Sequence, residues 1–382
     1  MTETPRIYLI SHYRERASEV WLQRVRGALA PHLVGEAYFD IGDAPSNSIC
    51  NLMPAWWAAV LSLGITTDKK FAPPRKASLR GAILRSEANI VYCHFANLAV
   101  RLRTVWDNLD IPIVVHCHGF DVSFDLLNTH GRQRYRDNYP QQIAALSQRC
   151  HFIANSDFTR SNLLRHGVEE QRVLTWHFGV PPIVDRPQYI EEATQILFLG
   201  RFIGCKGPVE TLRAFANAVG RGLNARLTMA GDGPLFQTCC DLAAELGLKD
   251  RVTFPGAVSA GAAVELFRSS HVFTAHSQRD PETNQCEAFG VAFIEALSAA
   301  LPVVGGQHAG PATFLEHEQD SLLFPPGNVV AHADALMRIC ADHELRNRLA
   351  RNALDKVARK FEANRQHALL LHYFADLTRS VS

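Results

Sequence analysis

The sequence predicts a two-domain α/β protein in which parallel sheets are wrapped by helices. Three observations carry that prediction. Short apolar runs alternate with amphipathic stretches along the chain, the pattern of repeated strand–helix–strand units. The length of 382 residues exceeds one ordinary domain. A stretch at 180–190 with three prolines and little periodicity separates two such series.

In the first series, Arg6–Ile10 reads as a strand. Ala17–Ala30 reads as a helix with Val20, Leu22, Val25 and Leu29 on its apolar side. Further strands are expected at Leu33–Phe39, Ile90–His94, Ile111–Cys117, His151–Ala154 and Val173–Trp176. Helices are expected between them, clearest at Asn97–Asn108, Arg132–Gln148 and Phe158–Arg165. The second series has strands at Gln195–Leu199, Arg226–Ala230, Val252–Phe254, His271–Thr274, Pro302–Val304 and Ser321–Phe324. Its helices read at Pro208–Gly220, Pro234–Leu246, Gly261–Arg268, Gly290–Ala300 and Val329–Cys340, with two more at Glu344–Lys360 and Ala363–Leu377. The expected organisation is therefore a first domain over 1–183, a second over 191–360 and a terminal helix over 361–382.

Two such domains leave a cleft between them, and ligands of open α/β sheets bind beyond the carboxyl ends of the strands. The chemistry-bearing motifs all fall at strand ends. Leu199-Gly200-Arg201 is followed by Lys206-Gly207, which puts a planar guanidinium and a point ammonium just past a strand; together these suit a diphosphate. Ala230-Gly231-Asp232-Gly233-Pro234-Leu235 closes another strand with a turn that allows close backbone approach. It is not G-x-G-x-x-G, because Phe236 stands at the third glycine. Glu287 and Glu295 flank seven residues, and Glu295 lies in an otherwise apolar run. Glutamate is almost never buried alone, so Glu295 must meet either an internal cation or ligand hydroxyls. The small residues before it suit the start of a helix, whose free N–H groups form an anion site.

In the first domain, His94 and the segment His116-Cys117-His118-Gly119-Phe120-Asp121 end two strands. The histidines and cysteines raise a zinc reading. It is set aside because the spacing is irregular and strand alternation sends Cys117 away from His116 and His118. A histidine facing the cleft suits hydrogen bonding to a sugar or a leaving phosphate. Trp56-Trp57 and the apolar residues to Leu63 precede Lys69, Lys70, Arg75, Lys76, Arg80 and Arg85. That segment reads as a buried helix followed by a solvated loop, or as a peripheral membrane contact.

Net charge is +1, which gives no bulk reason to bind nucleic acid. Nine scattered cysteines without C-x-x-C read as reduced thiols of a cytoplasmic protein. No secretory signal and no transmembrane run is read. No D-x-D pair occurs, so no obligatory divalent metal and no cofactor is expected.

Taken together, these residues resemble the retaining glycosyltransferase family 4, of GT-B fold: two Rossmann-like parallel-sheet domains facing a central cleft. The motifs that carry the resemblance are the E-x7-E pair Glu287/Glu295, the G-R-(x)4-K-G loop of Gly200, Arg201, Lys206 and Gly207, and the turn Ala230–Leu235. The segment from Asn155 looks like the family's signature before the linker. The segment from Val114 is similar to H-G-x-D of colanic-acid-type exopolysaccharide transferases, and Ser18-Glu19 echoes their S-E-T-F element.

The resemblance implies roles. Arg201 and Lys206 would hold the donor diphosphate, helped by the amides of Phe289, Gly290 and Val291 and the glycines Gly200, Gly231 and Gly233. Glu295 would bind ribose hydroxyls and Glu287 the transferred sugar. His118 would face the reacting centre, with His94, Asp121, Ser18 and Glu19 on the sugar or acceptor side. The partners implied are a nucleotide-diphosphate sugar and a saccharide or lipid-linked acceptor. The last helix would cross back to the first domain. The chain departs from the family at His12–Arg16, where a glycine-rich loop is usual, and at Thr313, where Glu is usual in G-G-x-x-E. Three rivals stand beside this reading: a nucleotide-sugar epimerase or phosphorylase, a non-catalytic GT-B scaffold, and an NAD-dependent oxidoreductase disfavoured by the missing third glycine.

Overall fold

The computed structural model describes residues 4–12, 20–39, 72–107, 109–123, 138–183 and 193–380, with side chains of the 72–85 helix described from Leu79 on. Ser18, Glu19, the 56–63 segment, Lys69, Lys70 and linker residues 184–190 lie outside it, as do the side chains of Arg75 and Lys76.

Among the described residues, twelve strands form two six-stranded sheets. The first contains β1 (Ile7–Ser11), β2 (Leu33–Tyr38), β3 (Ile90–His94), β4 (Ile113–Cys117), β5 (His151–Ala154) and β6 (Val173–Thr175), in the order β2-β1-β3-β4-β5-β6. The second contains β7 (Thr194–Leu199), β8 (Ala225–Ala230), β9 (Val252–Gly256), β10 (Val272–Ala275), β11 (Val303–Gly306) and β12 (Ser321–Phe324), in the order β12-β11-β10-β7-β8-β9. All pairings are parallel. Both orders are doubly wound, so each reverses once, beside β1 and beside β7. Those reversals open the crevices where α/β sheets bind ligands.

Alternation divides the first sheet's core. Ile7, Leu9, Ile90, Tyr92, Val114 and Ile153 pack to one side, in a cluster continuous with the second domain. Tyr8, Ile10, Val91, Cys93, Val115 and Cys117 pack to the other. Their strands are buried on both faces, as parallel sheets require.

The sequence placed a solvated loop where the structure has a helix, Ala72–Arg85. Leu79 and Ile83, four residues apart, are buried and anchor it. The Pro73-Pro74 pair sits in its first turn, where no intrahelical N–H is needed. The helix read over Asn97–Asn108 is two short ones, Ala96–Arg101 and Arg103–Trp106.

The final helix, Ala363–Arg379, lies against the first domain. Trp176 Nε1 donates to the Gln366 carbonyl at 2.8 Å, and Phe374 meets the Tyr92 ring at 5.0 Å.

The second sheet holds a closed histidine relay. The Gly327 N–H donates to His276 Nε2 at 2.9 Å, so His276 carries its proton on Nδ1 and donates it to His332 Nδ1 at 3.1 Å. His332 then donates from Nε2 to Thr274 Oγ1 at 2.7 Å, and Thr274 donates to the Val304 carbonyl at 2.9 Å. Every ring nitrogen has a partner and neither imidazole bears charge. Burial lowers the His276 pKa to about 4 and that of His332 well below its ordinary value.

Candidate functional site

A cleft of about 2070 Å³ runs between the two sheets, lined from both domains. On the second-domain side, β7 ends at Leu199 and the chain turns through Gly200 and Arg201 to Lys206. Gly231, at φ +132°, lies so close that a Cβ there would sit 1.9 Å from the Gly200 carbonyl oxygen. Only glycine lets the β8 turn tuck under the β7 loop and bring both to the cleft wall. Arg201 is exposed, and its guanidinium has no side-chain partner among the described residues.

The helix Val291–Ser298 begins at Gly290, in the left-handed region at φ +86°. No side chain caps it and its first turn carries no acid. Its free amides and the positive end of its dipole face the cleft through Gly290, Val291 and Ala292. Phe289 and Glu295 also line the cleft.

Both glutamates of the pair line the cleft, and each meets a cation. Lys206 Nζ bridges to Glu287 Oε2. Glu295 meets Arg24 Nη2 at 2.6 Å, with side-chain exposures of 15% for Glu295 and 26% for Arg24. Burial raises the Glu295 carboxyl above its ordinary range, and Arg24 opposes that rise. Of the two partners the sequence left open for Glu295, the structure supplies the internal cation. Arg24 comes from the other domain, on helix Val20–Leu29. Sequence reasoning missed it because Arg24 lies off that helix's apolar side, and nothing local says what the polar side meets. Arg24→Ala leaves a mostly buried carboxylate unpaired. It should lower unfolding free energy by about 1–2 kcal/mol, between the values for exposed and buried pairs. Equilibrium urea unfolding checks this, and unchanged stability would mean that the pair is worth nothing.

The domains also touch directly. Ser156 Oγ donates to the Ala288 carbonyl at 2.5 Å while its oxygen caps the helix Asp157–Arg165. A Cβ on Gly119, at φ +115°, would lie 2.1 Å from the Ala288 Cβ. Thr313 does not reach the cleft; its hydroxyl donates to the Gly310 carbonyl at 2.6 Å. Gly310 N–H in turn donates to the Glu287 carbonyl at 2.8 Å, so this segment backs the Glu287 loop.

On the first-domain side, His118 lines the cleft, 4.3 Å between ring centroids from Trp21. Asp121 does not line it. Asp121 is fully buried, accepting from the amides of Ala96 at 2.7 Å and of His118 and Gly119 at 2.9 Å. Burial raises its carboxyl pKa, opposed by those amides. The expected sugar contact is thus a positioning residue that fixes the turn carrying His118. His94 is likewise buried, behind His118. Burial holds His118 neutral, its pKa well below the ordinary value. A neutral imidazole can donate or accept a hydrogen bond here but brings no positive charge.

Two facing doubly wound sheets with a phosphate-ready helix start in the cleft define a GT-B architecture. Two family models match consecutive parts of the chain. Glycosyltransferase Family 4 covers residues 58–182, and Glycosyl transferases group 1 covers residues 184–356. Together the two models span most of the chain and support a family 4-like glycosyltransferase of GT-B fold. The chain is similar to N-acetyl-alpha-D-glucosaminyl L-malate synthase of Bacillus anthracis, 26% identical over 56% of this chain and 62% of that one. It is also similar to the lipopolysaccharide core biosynthesis glycosyltransferase LpsD of Rhizobium meliloti, 29% identical over 44% of this chain and 46% of the other. The matches thus span about half the length of these curated relatives. The fold matches the structure of Anabaena Alr3699/HepE in complex with UDP, with TM-score 0.76 and 16% identity over 97% of this chain and 100% of that one.

Proposed function

We infer that the protein moves a glycosyl group from a nucleotide-diphosphate sugar to a saccharide or lipid-linked acceptor, with retention of anomeric configuration and in surface-glycan or exopolysaccharide synthesis. The observation that carries this reading is the uncapped, acid-free start of helix Val291–Ser298, opening on the cleft beside Lys206 and Arg201. Charge in such a transfer develops on the leaving diphosphate, and fixed amides and cations there need no reorganisation to meet it. Glu287, paired with that ammonium and lining the cleft, would meet a sugar attached to the diphosphate. Glu295, one turn into the helix, suits ribose hydroxyls once Arg24 gives way. His118 and its turn present the acceptor side. A relative that acts in lipopolysaccharide core biosynthesis and a fold neighbour seen in complex with UDP support the substrate class.

The reading is tested by thermal shift against UDP, GDP and ADP sugars. A donor at 100 times its Kd adds about 2.7 kcal/mol of stability. Arg201→Ala should remove most of that shift, since the exposed guanidinium has no side-chain partner to lose among the described residues. A full shift in the variant would refute the phosphate assignment. Transfer that inverts the anomer, read by NMR of the product, would end the retention proposal. Nucleotide binding with no turnover toward any acceptor would favour the scaffold reading.

A further inference from the structure

The first sheet gathers three imidazoles that the transfer reaction does not need as a set. Parallel pairing puts His94 of β3 in register with His116 of β4, so both point to the same face. His118, two residues beyond His116, returns to that face. Ring centroids lie 5.4 Å apart for His94–His116, 5.1 Å for His94–His118 and 4.2 Å for His116–His118. The sequence objection to zinc was sound for Cys117, which packs on the opposite side of the sheet. It did not place His94 in line with His116, because register between strands is not visible in spacing.

We propose that His94, His116 and His118 form a three-imidazole site for a borderline divalent cation, Zn²⁺ foremost. One nitrogen from each ring can be chosen so that all lie within 4.8 Å of one another. Zn–N bonds of about 2.0–2.1 Å place tetrahedral ligand atoms about 3.3 Å apart, so small ring rotations close the set. His94 Nδ1 and His118 Nε2 already stand 3.0 Å apart.

The hydrogen-bond balance gives the independent observation. In the His276–His332 relay every ring nitrogen has a partner. Here His116 Nε2, the ring nitrogen that Tyr92 leaves open, is buried with no partner among the described residues. Orphaned buried polar atoms are rare, and this one, within the cluster of three rings, calls for a ligand. Tyr92 Oη sits 2.5 Å from His116 Nδ1, the outer partner that fixes a ligating histidine and leaves its Nε2 for the metal. His118 borders the cleft, so a water from that side would complete four-coordination. This site differs from a diphosphate-bound metal in ligand type and in domain, and it shares His118 with the transferase reading.

The test uses untagged, metal-stripped protein. Wild type should bind one Zn²⁺ per chain against a chromophoric chelator. Co²⁺ should give the visible spectrum of a tetrahedral nitrogen site without thiolate charge-transfer bands. Tyr92→Phe keeps all three rings and should weaken binding by about 10–100-fold. His116→Gln should abolish it. Absence of tight binding by wild type would overturn the proposal. So would thiolate bands, which would place the ion on cysteines, or unchanged affinity in Tyr92→Phe. Should His116→Gln fail to fold, the wild-type spectrum and the Tyr92→Phe affinity decide.

Discussion

Lys206→Ala should lower kcat/KM for glycosyl transfer by about 10²–10³-fold, the loss expected when one fixed stabiliser of developing charge is removed. The effect has two parts. The ammonium that would meet the leaving diphosphate is gone. Glu287, which it now neutralises, is left as a bare carboxylate facing an anionic donor. The second part is separable: adding Glu287→Gln to Lys206→Ala should restore donor binding while transfer stays slow. Steady-state rates, with donor and acceptor chosen by the binding screen, check both. A loss of less than about tenfold in the single variant, with unchanged melting temperature, would remove Lys206 from the reaction.

Acid destabilises the fold through its second-domain histidines. His276 and His332 are fully buried and neutral, with His276 lowered to about 4 and His332 well below its ordinary value. In the unfolded chain both titrate near 6.5. Below that pH the unfolded state binds protons that the folded state refuses, so stability present above about pH 6.5 is lost as pH falls toward the folded values. Between pH 7.5 and 5.5 each ring should account for about 1.4 kcal/mol, or about 3 kcal/mol for the pair. Urea unfolding of metal-stripped protein at the two pH values measures the loss, to which other buried histidines add. His332→Gln should flatten the dependence. Equal stability at both pH values would show that the relay opens to water.

The sequence by itself determined the architecture. All twelve strands were legible because each is a short, largely apolar run bounded by turn residues, and central strands such as β1, β3 and β4 are buried on both faces. Gly200, Arg201, Lys206, Gly231, Glu287 and Glu295 were legible as cleft residues because the connections at strand ends carry chemistry that a core does not tolerate. The helix Ala72–Arg85 was not, because its basic surface hides a narrow apolar stripe of which Leu79 and Ile83 are part.

Only the tertiary structure decided who meets whom. Arg24 reaches Glu295 from the other domain, Asp121 turns inward to three amides, and His94 joins His116 through strand register. The reason is physical. Local pattern fixes which face of an element is apolar. The partner of a polar side chain depends on how sheets and domains are juxtaposed, and no spacing along the chain encodes that.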